Sequence, residues 1–262
     1  MTYLGQMMTY LGQTAAVSAA ELKKIARDPT ELFSRAIQPV LWLLIFGQVF
    51  SRVRDIPTGG IGYLAFMTPG ILAQSVLFSA IFYGIAVIWE RDLGIVQKLL
   101  VSPAPRSALV LGKAISAGLR GLVQAVIVYL IAWLLHIGLR WEVIAIMQVM
   151  AGVVLGSCIF STFSLIIACI VKTRERFMGI GQLLTMPLFF ASNAIYPLEM
   201  MPGWLKSIAA FNPLTYLVDV LRDAMIEGGR SVNGLAFDFG ILAVIFLLML
   251  AIAAKLYPGL AR

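Results

Sequence analysis

Residues 143–171 read VIAIMQVMAGVVLGSCIFSTFSLIIACIV, 29 consecutive positions without Asp, Glu, Lys or Arg. As a helix this run is roughly 43 Å long at 1.5 Å per residue, more than the ~30 Å hydrocarbon core of a bilayer. Five further stretches also lack charge: Ala36 to Ser51, Ile56 to Trp89, Gly121 to Leu139, Phe177 to Leu198 and Phe239 to Ala254. Together the six hold 136 of the 262 residues, and the whole chain is 60% apolar and 13% charged, against about 25% charged in an ordinary soluble domain. The expected fold is therefore an all-α integral membrane protein with six transmembrane helices, one domain over residues 1–262. Too little chain remains for a soluble catalytic domain, and the composition excludes a secreted disulfide scaffold.

The net charge of +7 is explained by topology. With six spans both termini share a side, and 14 of the 20 Lys and Arg residues fall on that side. They include Lys23, Lys24, Arg27 and Arg35 before the first span, Arg91, Lys98, Arg106, Lys113 and Arg120 between the second and third, and Lys172, Arg174 and Arg176 between the fourth and fifth. The positive-inside rule places both termini in the cytoplasm of a cell (inner or plasma) membrane. The basicity thus points to the lipid bilayer as partner and to no nucleic acid. No cleavable signal peptide is evident, because a charged segment precedes the first apolar run. Cys158 and Cys169 read as small core residues, and a single histidine, His136, gives no metal site.

Residues 1–17 carry a direct repeat, MTYLGQ at 1–6 and 8–13, read as a second start or an engineering scar and expected to be disordered. Ser18 with Glu21, then Asp28, Pro29 and Glu31, have capping-box spacing. They predict an interfacial elbow helix over residues 18–34, with Leu22 and Ile25 on one face and Lys23, Lys24 and Arg27 toward headgroups. Pro69 divides the 34-residue run, so the second span is expected to begin there and end near Trp89. The third is expected from about Ser107 to Ile137, with Lys113 and Arg120 snorkelling to the inner surface. A short hairpin at 172–176 makes spans four and five antiparallel neighbours, and Gly152, Gly156, Ser157 and Ser161 permit close packing of span four.

Two segments are neither span nor plain loop. Residues 90–106 form a short charged helix region on the cytoplasmic side: Glu90-Arg91-Asp92 ends the second span, Leu93, Val96 and Leu100 make an apolar stripe, and Ser102 to Pro105 stops it. Outside, residues 194–230 are too apolar for a solvated loop. A short helix from Pro202 to Ala210 precedes an amphipathic helix capped by Asn212-Pro213, with Leu214, Leu217, Val218, Leu221 and Met225 on one face and Asp219, Asp223 and Glu227 on the other. This is an external re-entrant helix-turn-helix between spans five and six, placed against protein or a water-filled cavity. The chain holds no HExxH, no GxSxG and no GxxxxGK[ST], so it has no catalytic residues and cannot itself hydrolyse ATP.

Glu90 to Gly94, Leu99 to Pro103, Phe190-Ala191-Ser192-Asn193-Ala194-Ile195-Tyr196-Pro197, Met201 to Leu205 and Phe211 to Tyr216 together resemble the type 2 ABC exporter permeases, and within them the daunorubicin-resistance and nodulation-exporter branch. The resemblance spans residues 20 to 258. It implies a membrane-spanning subunit that couples ATP hydrolysis on separate ATP-binding subunits to export of an amphipathic drug or lipid-like substrate. It also implies a second permease copy, in a homodimer or heterodimer, with ATP and Mg held by the partner and no cofactor bound by this chain. Glu90, Arg91, Asp92, Leu93, Val96, Lys98 and Leu100 would contact the ATPase, although relatives often carry acids where this chain has Gln97 and Lys98. Trp42, Phe46, Phe189 and Phe190 would line the substrate path. Asn193, Pro197, Pro202, Trp204, Asn212 and Pro213 would form the external gate. A polysaccharide or glycolipid exporter of the same family and a non-transporting membrane anchor or assembly factor are the alternatives.

Overall fold

The computed structural model describes residues 3–27, 37–50, 58, 60–101, 104–171 and 173–261. Their regular elements are all helical. In chain order these are α1 (Tyr3–Arg27), α2 (Ile37–Phe50, π-helical over Trp42–Gly47), α3 (Tyr63–Asp92), α4 (Ile95–Val101), α5 (Arg106–Leu134), α6 (Val143–Ile170), α7 (Arg174–Phe190), α8 (Gly203–Phe211), α9 (Pro213–Met225) and α10 (Leu235–Leu256), the last continued by a 3-10 turn at Tyr257–Ala261. Four of them, α3, α5, α6 and α10, are long and apolar enough to cross a membrane. The chain is a membrane protein. At 17 residues α7 is shorter than the ~20 an upright crossing needs. The same holds for α2, whose flanking residues lie outside the described ones.

The run quoted first, now α6, is the hub, packed against α3, α5, α9 and α10. Its small residues explain how. A methyl group on Gly156 would stand 2.5 Å from the Leu217 side chain, and one on Gly152 would stand 2.9 Å from Val220. The close approach expected at these positions is therefore used by α9. The expected antiparallel neighbours α6 and α7 do touch beside their shared turn, but α7 leans mainly on α3. Phe177 drives this, buried between Gly84, Ile88, Ile167 and Ala168.

Three boundaries differ from expectation. Residues 3–17 are helical rather than disordered, and α1 runs through the predicted cap. The Ser18 hydroxyl donates to the carbonyls of Thr14 and Gly112, both at 3.0 Å, and Val17 packs on Gly112 of α5. Burial against α5 thus outweighs the local capping signal. Asp28, Pro29 and Glu31, and the side chains of Leu22, Lys24, Ile25 and Arg27, lie outside those described; Lys23 is exposed. Secondly, α3 starts at Tyr63, not at Pro69, which sits inside the helix. Gly70 beside it packs directly on the main chain of Ala194, where no Cβ would fit. Thirdly, α9 is not a surface amphipathic helix. Its apolar face is fully buried, and Asp219 and Arg222 on the supposed outer face are 0% and 6% exposed. Glu227 alone of the three expected outer acids is well exposed, beyond the helix end.

Candidate functional sites at the inner and outer ends

At the end of the bundle expected to face the cytoplasm, a lysine inside the apolar helix α5 organises three elements. Lys113 Nζ lies 2.5 Å from Glu90 Oε2 of α3 and 3.2 Å from Glu21 Oε1 of α1, and Arg120 reaches the other Glu21 oxygen at 3.6 Å. The Arg120 guanidinium also covers the Tyr83 ring at 4.7 Å. Lys113, Glu21 and Glu90 are all under 10% exposed. Two carboxylates and two cations leave the group neutral, which is how buried charges are tolerated. Snorkelling, the expected role for Lys113 and Arg120, is corrected: both turn inward because α1 covers the face they would have crossed.

Glu90 is thereby withdrawn from the surface on which it was expected to meet a partner. Four residues later the chain turns at Gly94, whose φ of +71° is a left-handed conformation that glycine adopts without strain. It then enters α4. Asp92 is bound by Arg91 at 3.0 Å and by Arg174 of α7 at 2.7 Å, and Arg174 stacks on Trp89 at 3.5 Å. This ties the foot of α3 to the α6–α7 turn. The expected apolar stripe divides. Val96 is fully buried against Leu109, Val110 and Tyr257, and Leu100 is half-buried in the same cluster. Leu93 and Val101 stand 66% and 87% exposed, with Lys98 exposed between them. Ser102 and Pro103 lie outside the described residues.

The expected path residues do come together. Phe190, Phe189, Trp42 and Phe46 form consecutive ring contacts of 5.4, 5.7 and 4.7 Å. The row continues through Phe50, Tyr63 and Phe66 at 4.7, 5.8 and 6.5 Å. Phe189 is completely buried, whereas Phe46 and Phe190 are exposed. At its end the Arg222 guanidinium sits 3.9 Å from the Phe66 ring centre.

The outer turn is built around two asparagines. Asn212 Oδ1 accepts from Leu214 N at 3.0 Å, capping α9, while its Nδ2 donates to the carbonyls of Leu188 and Ala191 at 2.7 and 3.0 Å. One side chain thus starts α9 and closes α7. Pro213 takes the first helical position, where its missing N–H costs nothing. Asn193 Nδ2 donates to Asp219 at 2.5 Å, and Arg222 Nη2 donates to the Asn193 carbonyl at 2.7 Å. Burial pushes the Asp219 carboxyl up to about 6, opposed by Arg222, and brings the Arg222 guanidinium down to about 10. Pro197 is buried. Pro202 and Trp204 are exposed, and Trp204 lines an apolar cavity with Leu188, Ala191 and Asn212. Asp219 was missed as a site residue because helical spacing alone put it on a solvated face, and Arg222 because the carbonyl it binds is 29 residues away in sequence.

The model of the ABC-2 type transporter family matches residues 12–226. The chain belongs to that family. This ABC-2 permease is 25% identical over 251 residues to the inner membrane transport permease YadH of Escherichia coli K12, covering 91% of each chain. It is 29% identical over 206 residues to a protein of Cyanophora paradoxa named as the transport permease ycf38, covering 76% of this chain and 69% of the relative. It is 23% identical over 197 residues to the daunorubicin-resistance ABC transporter permease DrrB1 of Streptomyces coeruleorubidus, covering 75% and 69%. These relatives are transport permeases, not enzymes. The inner cluster and the outer turn both fall inside the matched region.

Proposed function

We propose that this ABC-2 permease is the membrane-spanning half of an ATP-driven exporter for amphipathic drug-like or lipid-like molecules, paired with a second permease copy and moved by separate ATP-binding subunits that hold ATP and Mg. In this reading the chain is one domain that crosses the membrane six times, with α2 and α7 completing the spans. Both termini are cytoplasmic, α1 lies at the inner interface as an elbow, and residues 194–230 re-enter the outer leaflet. The observation that carries it is α4. A seven-residue helix hangs from the end of α3 with Leu93, Lys98 and Val101 uncovered, while its base is held by Val96 and by the Lys113 cluster.

Exposed apolar side chains beside a cation suit the groove of a protein partner better than water. The Lys113 cluster links that docking helix rigidly to α1 and α5. A push on α4 is then transmitted to three elements at once instead of bending one loop. Glu90, in this account, positions α4 rather than touching the ATPase.

The test is co-reconstitution with the ATP-binding subunit. Leu93→Asp with Val101→Asp should leave the permease folded but lower substrate-stimulated ATP hydrolysis about tenfold or more, the usual scale for removing interface anchors. Unchanged stimulation would refute the coupling role. The seven-ring aromatic row supports a second reading, a glycan or glycolipid exporter, since sugars and aromatic faces stack. Movement of a glycolipid but not a cationic drug in sealed vesicles would favour it. Co-purification with an ATPase without movement of either would favour a non-transporting anchor.

A further inference from the structure

A polar cavity of about 540 Å³ opens at the outer end, between the Asn193 turn, the start of α3 and the segment after α9. Among its walls are Phe66, Asn193, Glu199, Arg222 and Arg230. Arg222 is 94% buried, taken from its 6% exposure, yet it is not fully used. Its Nη2 holds the Asn193 carbonyl, its Nη1 reaches Asp219 at a long 3.5 Å, and its face rests on Phe66, but Nε has no partner. The Asn193 Oδ1 acceptor is also without a partner. Both residues line the cavity, and hydrogen-bonding capacity left unused in a buried side chain costs about 1–3 kcal/mol, which a small turn of either side chain toward a ligand would recover. Arg230 stands exposed at the mouth.

We infer that this cavity is a binding site for the headgroup of an exported amphiphile, one bearing an oxyanion such as a phosphodiester next to free hydroxyls. The oxyanion is matched by the Arg222 guanidinium and Arg230, and a hydroxyl donor by the Asn193 side-chain amide. Glu199 at the rim disfavours a bare dianion and leaves a singly charged group as the better fit. The aromatic row that begins at Phe66 and Tyr63 supplies the apolar surface for the attached tail. This substrate class rests on the exporter reading above.

Binding is measured on the purified full-length chain alone, in detergent, by native mass spectrometry. The probes are dihexanoylphosphatidylglycerol, dihexanoylphosphatidylcholine and inorganic phosphate. The glycerol lipid should bind saturably and about tenfold more tightly than the choline lipid with the same tails, the scale of one hydrogen bond to a buried acceptor. Arg222→Lys keeps the charge and loses the planar donor fork, and should weaken binding of both phosphodiester lipids severalfold. Arg230→Gln, at an exposed position, should lower it severalfold with thermal unfolding unchanged. If Arg222→Lys does not fold, Val232→Trp, which narrows the exposed mouth, takes its place and should block the lipid. Equal binding of the two lipids, or an Arg230→Gln variant indistinguishable from the parent, would overturn the site. Inorganic phosphate competing as strongly as the lipid would also overturn it, by making the free ion the occupant. Lost binding with intact ATP-dependent export counts against the cavity alone. Binding without export counts against the transporter reading alone.

Discussion

Lys113 does what no other residue of α5 does: it places a full charge in an apolar helix and has two carboxylates brought to it from other elements. Lys113→Ala leaves Glu21 and Glu90 buried with less compensation and should cost about 3–5 kcal/mol. The double change Lys113→Met, Glu90→Gln, which leaves Glu21 paired with Arg120, should recover much of that, both read by thermal unfolding in detergent. Asn212 is the outer counterpart. Asn212→Ala strips the α9 cap and orphans two carbonyls, for a loss of roughly 2–4 kcal/mol. Asn212→Asp keeps the cap and should fall between the two. Asp219 gives a pH signature. Burial raises its carboxyl to about 6, so the folded chain holds the proton more tightly than the unfolded one. Stability should therefore fall as pH rises from the ordinary carboxylate range through about 6 and level off above it. Asp219→Asn, which keeps an acceptor for Asn193, should flatten that slope in unfolding curves taken from pH 4 to 8. The cap at Asn212 was legible in the sequence because its signal is local. The pairings of Lys113 and Arg222 were not, because their partners come from segments 92 and 29 residues away.

The same division between local and distant causes holds for the helices. The spans α3, α5, α6 and α10 could be read from charge-free length, α4 from the stop at Ser102 to Pro105, and the α8–α9 pair from Pro202 and Asn212-Pro213. What failed were inferences that assumed solvent on a face another helix covers. Ser18 was taken for a cap when α5 was already waiting for its hydroxyl. The charges of α9 were placed in water when α6 and the Asn193 turn enclose them. Packing of α9 on α6 makes a sharp prediction at Gly156, where Leu217 fills the space of a side chain. Gly156→Val should cost about 1–3 kcal/mol by overpacking, and Leu217→Ala in the same chain should relieve part of it, measured as a double-mutant cycle. Simple additivity of the two changes would show that the helices do not meet there.

At the scale of the whole molecule, polar chemistry is gathered at the two ends of an apolar bundle: a charge cluster under α4 at one end, an asparagine-arginine turn at the other, and a row of rings running toward that turn. In the proposed function the first is the place that is pushed and the second the place that holds a headgroup. The central claim is that α4 faces the cytoplasm and is gripped there by an ATP-binding subunit. The most direct measurement labels Lys98→Cys, in a background with Cys158 and Cys169 replaced by alanine, with a membrane-impermeant maleimide. The account predicts no labelling in intact cells, full labelling in inside-out vesicles, and protection there when the ATP-binding subunit is added. Labelling of that position from the outside of intact cells would contradict it.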